Sequence, residues 1–356
     1  MPVEVALIVG GRRYSGWKSI RVTRSIESIA GSFALEVSDR WGGQDQPWPI
    51  VEEDACRVEI GDEVVIDGYV DKRSLSLSAS QRALSYSGRD RAAALVDCSA
   101  ILKHWTFRNV SLADFAAVIA KPFGVRVSVQ PGLVLAKADK LVVQPGDSAF
   151  EAIQRAAKDA QVLVVSDGAG GVVITRAGSK RATSLIEGIN ILSALVEYDG
   201  ADRYHRYVIA TQMAGTDEAS GETSRIQAEA TDEGVRRTDR VLLIRPDKGY
   251  SVADARRRAD WEARTRAARG ETVTVVVQGW TQPNGTLWPI NALVRVTSPG
   301  IGVDGDMLIS QVEHSIGNAG QIAQLRCVRP DAFTPEPQAA TVKEPGAWKE
   351  LAKGAL

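Results

Sequence analysis

Apolar residues alternate with polar ones in short runs near both ends of this chain, and switch to helical spacing in between. A period of two marks half-buried strands, whereas spacings of three and four mark amphipathic helices. This β, then α+β, then β order constrains the fold more than any other feature. In the first stretch Val3, Val5, Leu7 and Val9 alternate with smaller or polar residues before the turn at Gly10-Gly11. Val22–Arg24, Phe33–Val37, Cys56–Ile60, Val64–Ile66 and Tyr69–Leu77 continue the pattern. Asp67-Gly68 reads as a two-residue hairpin turn, the strongest such signal present. Six or seven short strands with turn residues between them predict a small barrel or sandwich over 1–90.

The period changes near Gly88. Ser111 with Asp114, and Ser148 with Glu151, have the spacing of capping boxes at the starts of two helices. The first carries the stripe Leu112, Phe115, Ala116, Ile119 and stops at Pro122; the second carries Phe150, Ile153 and Ala157. Val125–Val129 reads as a strand, and Val162–Val165 and Val172–Thr175 flank the turn Gly168–Gly171. Two helix-plus-strand units over 91–185 predict an α+β domain with the look of a duplication. Strands return at Tyr204–Gln212, Ser224–Ala230, Val241–Ile244, Val273–Gly279, Ala292–Thr297, Met307–His314 and Ile322–Val328. One helix, Ser251–Arg269, interrupts them, capped by Ser251 and Asp254 and stopped at Gly270. Its expected core stripe is Val252, Ala255, Ala259, Ala263 and Ala267. The fold class is therefore α+β, mainly β. Two small β-barrel domains, 1–90 and 186–333, flank an α+β domain at 91–185, and an extended or disordered Pro-containing tail occupies 334–356.

A chain of 356 residues exceeds the roughly 250–300 at which one core stops growing, in keeping with two to four domains. Lys plus Arg number 43 against 44 Asp plus Glu, and a net charge of −1 argues against a protein built to grip nucleic acid. The cations comprise 31 Arg and 12 Lys. That excess suits partly desolvated contacts, and equally the codon usage of a GC-rich genome. The longest apolar run, Phe115–Ala120, is far short of a membrane helix, and the first residues lack the pattern of a secretory signal. Cys56, Cys98 and Cys327 are an odd number, widely spaced, and are expected as buried free thiols.

No catalytic constellation emerges, so no enzyme activity and no cofactor or metal are expected. His104, His205 and His314 lie in different segments without a ligand spacing, and no G-x-S-x-G elbow is present. Glu52-Glu53-Asp54 reads as a solvated turn. Val143–Ser148 leading into a helix resembles the opening of a LysM peptidoglycan-binding module, which makes a cell-wall-binding module or hydrolase accessory the alternative function. The helix bearing Arg256, Arg257, Arg258, Arg264, Arg266 and Arg269 could meet phosphates, but Asp254, Asp260 and Glu262 interleave with it as on a salt-bridged surface helix.

Thr23–Phe33 followed by Trp41, Gly88-Arg89-Asp90 running into Leu95–Ala100, Gln278-Gly279-Trp280, Gly285–Asn291 and Arg329–Phe333 occur in one order along the chain. This series resembles the Mu-like phage baseplate hub (tail) protein family over about residues 1–333. The resemblance implies a structural virion protein of contractile-tailed phages or tailocins, located in the tail baseplate and assembled in the bacterial host cytoplasm. It implies a homotrimeric ring of pseudo-sixfold symmetry that adapts the hexameric tail tube to the trimeric central spike. The tube protein, the spike protein and baseplate wedge proteins would be partners, and DNA would only pass through the channel. Arg256, Arg257, Arg264, Trp280 and Trp288 are the candidate subunit-interface or channel residues, with core packing the competing role for the two tryptophans.

Overall fold

The computed structural model describes residues 3–38, 48–77, 82–178, 180–212, 225–246, 251–317 and 320–338. Trp41, the segment Met213–Glu222 and the tail from residue 339 lie outside them. The chain divides into two compact units, residues 1–198 with 271–335, and residues 199–270 with 336–356. The segment 199–270, expected inside the second β domain, therefore forms a unit of its own, and that β domain is assembled from chain on either side of it.

The first unit begins with β1 (Val5–Val9), β2 (Arg12–Tyr14), β3 (Ser19–Ser25), β4 (Ser32–Ser38), β5 (Ala55–Ile60), β6 (Glu63–Leu77) and β7 (Arg82–Asp90). Asp67-Gly68 does not turn the chain: both residues lie inside β6, and the hairpin bends instead at Gly61, with φ +61. Gly68 is required for close approach. A Cβ there would stand 2.0 Å from the Arg89 carbonyl oxygen on β7.

The α+β insert follows: α1 (Ala93–Asp97), β8 (Thr106–Ser111), α2 (Leu112–Ala120), β9 (Arg126–Val129), β10 (Lys137–Val142), α3 (Ala149–Asp159), β11 (Leu163–Ser166) and β12 (Gly171–Thr175). Ser148 and Glu151 close a reciprocal capping box on α3; at α2 the Ser111 hydroxyl accepts from the Asp114 amide, and the Asp114 carboxylate bonds back to that hydroxyl rather than to the backbone. Leu112, Phe115, Ala116 and Ile119 are all buried, as their spacing predicts, and pack with Ile153 and Ala157 in one cluster. Each half reads strand–helix–strand, yet β9 and β11 do not pair with each other, because β12 lies between them.

The remaining strands of the first unit are β13 (Lys180–Arg181), β14 (Leu185–Ile186) and β15 (Ser193–Tyr198). In the second unit, β16 (Arg206–Gln212) is flanked by β17 (Arg225–Thr231) and β18 (Val241–Ile244), and α4 (Val252–Arg269) packs on β16 and β17. The chain then re-enters the first unit with β19 (Glu271–Gln278), β20 (Ala292–Ser298), β21 (Val303–Gly317) and β22 (Gly320–Val328).

The two β regions do not close as separate barrels among the described residues. They join edge to edge in one 14-stranded sheet, ordered β15-β19-β22-β21-β3-β4-β7-β6-β5-β1-β2, with β20 on β21 and β13 and β14 on β20. The physical reason is the antiparallel pairing of β3 with the distal part of β21, which lets a single apolar core run through both regions. Within that sheet one motif occurs twice. The order β5-β6-β7-β4-β3 matches β20-β21-β22-β19-β15, with corresponding strands in the same chain order and every pairing antiparallel. β6 and β21 are each 15 residues long, and β7 and β22 each 9. Even the register break recurs, between Val70 and Lys72 in one copy and between Ile309 and Gln311 in the other.

Candidate functional site

The residues singled out by sequence fall in two places. Trp280 and Trp288 are buried in the core of the sheet. Trp280 donates its indole N–H to the carbonyls of Ser315 and Ile322, both at 3.1 Å, and stands edge-on to the His314 ring. Trp288 is enclosed with its indole nitrogen unpaired. Within this chain both tryptophans fill the core rather than present a surface.

The arginines lie on α4, and most are neutralised locally. Arg256 pairs with Asp260, Arg257 with the capping residue Asp254, and Arg258 and Arg266 both with the buried Glu262. Arg258 also stacks over Trp261 and pairs with Glu336. The helix buries Ala255, Ala259 and Ala263 against β16 and β17, as the small-residue stripe predicts. Two positions of that stripe differ: Val252 is 63% exposed, and Ala268 is buried where Ala267 is only partly so. Trp261, Glu262 and Thr265 are buried as well, so the helix hides more than one face. A shallow groove of about 720 Å³ beside α4 sets Arg256 and Arg264 against Glu229 and Asp260. Mixed charge of this kind gives a phosphate backbone no consistent attraction.

A third constellation was not anticipated from residue types. At the end of β7, Gly88-Arg89-Asp90 works as a junction piece. A Cβ on Gly88 would lie 2.0 Å from the Tyr69 carbonyl oxygen, so only glycine admits the β6–β7 contact. Arg89 clamps Asp71 on β6 and Asp97 at the end of α1, each at 2.7 Å. Asp90 is buried and accepts from the Gly31 amide at 2.7 Å, the Ala92 amide at 3.0 Å and the Ser166 hydroxyl at 2.6 Å. Burial pushes its carboxyl above the usual range against those three hydrogen bonds and the nearby Arg24. Arg24 donates to the Ser166 carbonyl, so strands β3, β7 and β11 converge on one polar knot that mounts the insert on the sheet. This is the geometry of a rigid joint. Nothing in it resembles an activated nucleophile.

Cys56 and Cys327 are buried with thiols pushed up to about 12, whereas Cys98 is exposed rather than buried as expected. Among the described residues no three His, Cys, Asp or Glu side chains converge as metal ligands, and no helix is long and apolar enough to cross a membrane. The LysM-like opening Val143–Ser148 leads into α3, which runs on into the β11–β12 hairpin and not into a second helix.

Residues 4–90 match the family described as Mu phage baseplate assembly protein GpP-like, N-terminal, and residues 92–176 the baseplate hub protein gp44-like second domain. Residues 251–336 match the fourth domain of Mu phage baseplate assembly protein GpP. Baseplate hub protein gp44 of Escherichia phage Mu is 32% identical over 325 residues, covering 88% of this chain and 84% of that protein. The chain belongs to the Mu-like phage baseplate hub protein family. It is thus a baseplate hub protein, a structural part of a phage tail. The hub fold is also that of the 43 kDa tail protein of prophage MuSo2 from Shewanella oneidensis, at 35% identity and a TM-score of 0.82, covering 93% of this chain and 99% of that one. The tail protein from Neisseria meningitidis MC58 shares the fold at 21% identity, with a TM-score of 0.78 over 95% and 99% of the two chains.

Proposed function

We propose that this hub protein forms a homotrimeric ring of pseudo-sixfold symmetry in a contractile phage tail or tailocin, joining a hexameric tail tube to a trimeric spike around a DNA channel. The observation that carries this reading is the twofold occurrence of the five-stranded motif. Three chains with two equivalent motifs each offer six similar surfaces to one neighbour and three identical ones to another, which is what a symmetry adaptor must do. Tube, spike and wedge proteins are the expected partners, and assembly would take place in the host cytoplasm. The near-neutral charge suits a conduit that DNA traverses without sticking.

Light scattering on the purified chain tests the ring. A mass of three times 38.3 kDa is expected, with a threefold ring in negative stain. A monomer at micromolar concentration sinks it. The cell-wall-binding alternative predicts retention on insoluble peptidoglycan, and the hub reading predicts none.

A further inference from the structure

The duplicated motif is satisfied differently in its two copies. The long strand β21 has β20 along its proximal half and β3 along its distal half, in the pairs Gln311 with Ser25 through Ile316 with Ile20. The long strand β6 has β5 along its proximal half, but residues Lys72–Leu77 have no strand on that same edge among the described residues. In the same way β3, the last strand of one copy, pairs with β21, whereas β15, its counterpart, ends the sheet with no strand on its outer edge among the described residues. Apolar side chains stand exposed at both open edges: Leu75 and Leu77 at 60% and 75%, Leu195 and Tyr198 at 54% and 68%. Open apolar edges of this kind are templates for pairing with another chain.

Resting on the ring reading above, we propose that β15 of one hub chain pairs antiparallel with Lys72–Leu77 of β6 in the next copy, repeating between chains the β3–β21 junction made within one. The register follows from the fold. The equivalent breaks align Val70 with Ile309, and hence Leu75 with His314. The β7–β4–β3 and β22–β19–β15 ladders align Val22 with Val196. Because Val22 lies opposite His314, Val196 lies opposite Leu75 of the neighbour, Ala194 opposite Leu77, and Tyr198 opposite Arg73. Val22 and His314 are buried in the internal junction, so the same face would bury Leu75, Leu77, Ala194 and Val196. Tyr198 against Arg73 sets an aromatic ring beside a guanidinium. The contact is head-to-tail, uses different surfaces on the two partners, and closes when internal and external junctions alternate around a ring.

Single cysteines placed in a Cys98→Ser chain test the register. Val196→Cys is mixed with Leu75→Cys, and separately Glu197→Cys with Ser74→Cys, because adjacent pairs alternate between wide and close geometry. Each mixture is oxidised and run without reductant. A cross-link at one of the two pairs in the mixture, and in neither variant alone, is expected. Three-chain particles with no link at either pair would overturn this surface and leave the ring standing. A monomer with no link would overturn both, and a variant that links to itself would indicate a symmetric edge contact and overturn the proposal. Leu75→Glu with Leu77→Glu should weaken association about tenfold or more with unchanged circular dichroism; unchanged association counts equally against it.

Discussion

His314 is 3% exposed beneath the sheet, and neither ring nitrogen has a hydrogen-bond partner. The Trp280 backbone approaches it outside hydrogen-bond geometry, and the Trp280 ring and Arg24 complete its surroundings. Burial, reinforced by Arg24, lowers its pKa from 6.5 to about 4. The unfolded chain therefore takes up this proton first on acidification. Stability is fully present above pH 6.5 and falls between there and about pH 4, by on the order of 3 kcal/mol for that shift. Asp90, with its carboxyl raised, contributes with the opposite sign, so a control is needed. Urea midpoints measured across this range should fall for the native chain and change distinctly less in His314→Phe. Equal slopes would mean the histidine is already protonated or solvated. The sequence places His314 on a strand but cannot say that Trp280 and the β3 ladder seal it. Asp90 was likewise visible only as part of a family-like junction, because its partners Gly31 and Ser166 are 59 and 76 residues away in the chain.

Helices were legible where local chemistry determines them. Ser148 with Glu151 and Ser251 with Asp254 sit at reciprocal caps, since a cap needs only residues within one turn. Strands were legible where apolar residues gather in a short run, as at Val241–Ile244, whose bounds the structure reproduces. β8, β10 and β15 were missed: each is largely exposed, and none shows a regular alternation of apolar and polar residues along its length. The Asp-Gly turn signal misplaced the hairpin at Asp67-Gly68, because glycine serves a close backbone crossing as readily as a turn. For α4 the alanine stripe is the packing device. Ala255 and Ala259 are fully buried against β16 and β17. Ala259→Leu should force the helix outward at a cost of about 1–3 kcal/mol. Hydrogen exchange should then speed up in α4, β16 and β17 while the strands of the large sheet keep their protection. Uniform acceleration through both units would show that they unfold together.

At the scale of the molecule, charge and architecture point the same way. The arginine excess is largely spent on internal pairs: in 199–270 alone Arg203 forks onto Asp232, Arg258 and Arg266 share Glu262, and Arg240 and Arg266 lie over Tyr204. Arginine here is mostly mortar for a small unit. Binding to duplex DNA at physiological salt should accordingly be weaker than the ~10⁻⁴ M end of ordinary non-specific affinity, with no mobility shift in the micromolar range. A shift that disappears with added salt would contradict this. By itself the sequence determined the β, α+β, β succession, the helix caps and stripe, and the series of segments that marks a baseplate hub, because each depends on residues near one another in the chain. Only the tertiary structure decided that the two β regions share one sheet, that 199–270 forms a compact unit of its own, that Trp280 and Trp288 belong to the core, and that β15 and the distal part of β6 each keep an unpaired edge among the described residues. Strand pairing joins residues hundreds of positions apart, such as Val22 and His314, and no local pattern records which edge a strand will meet.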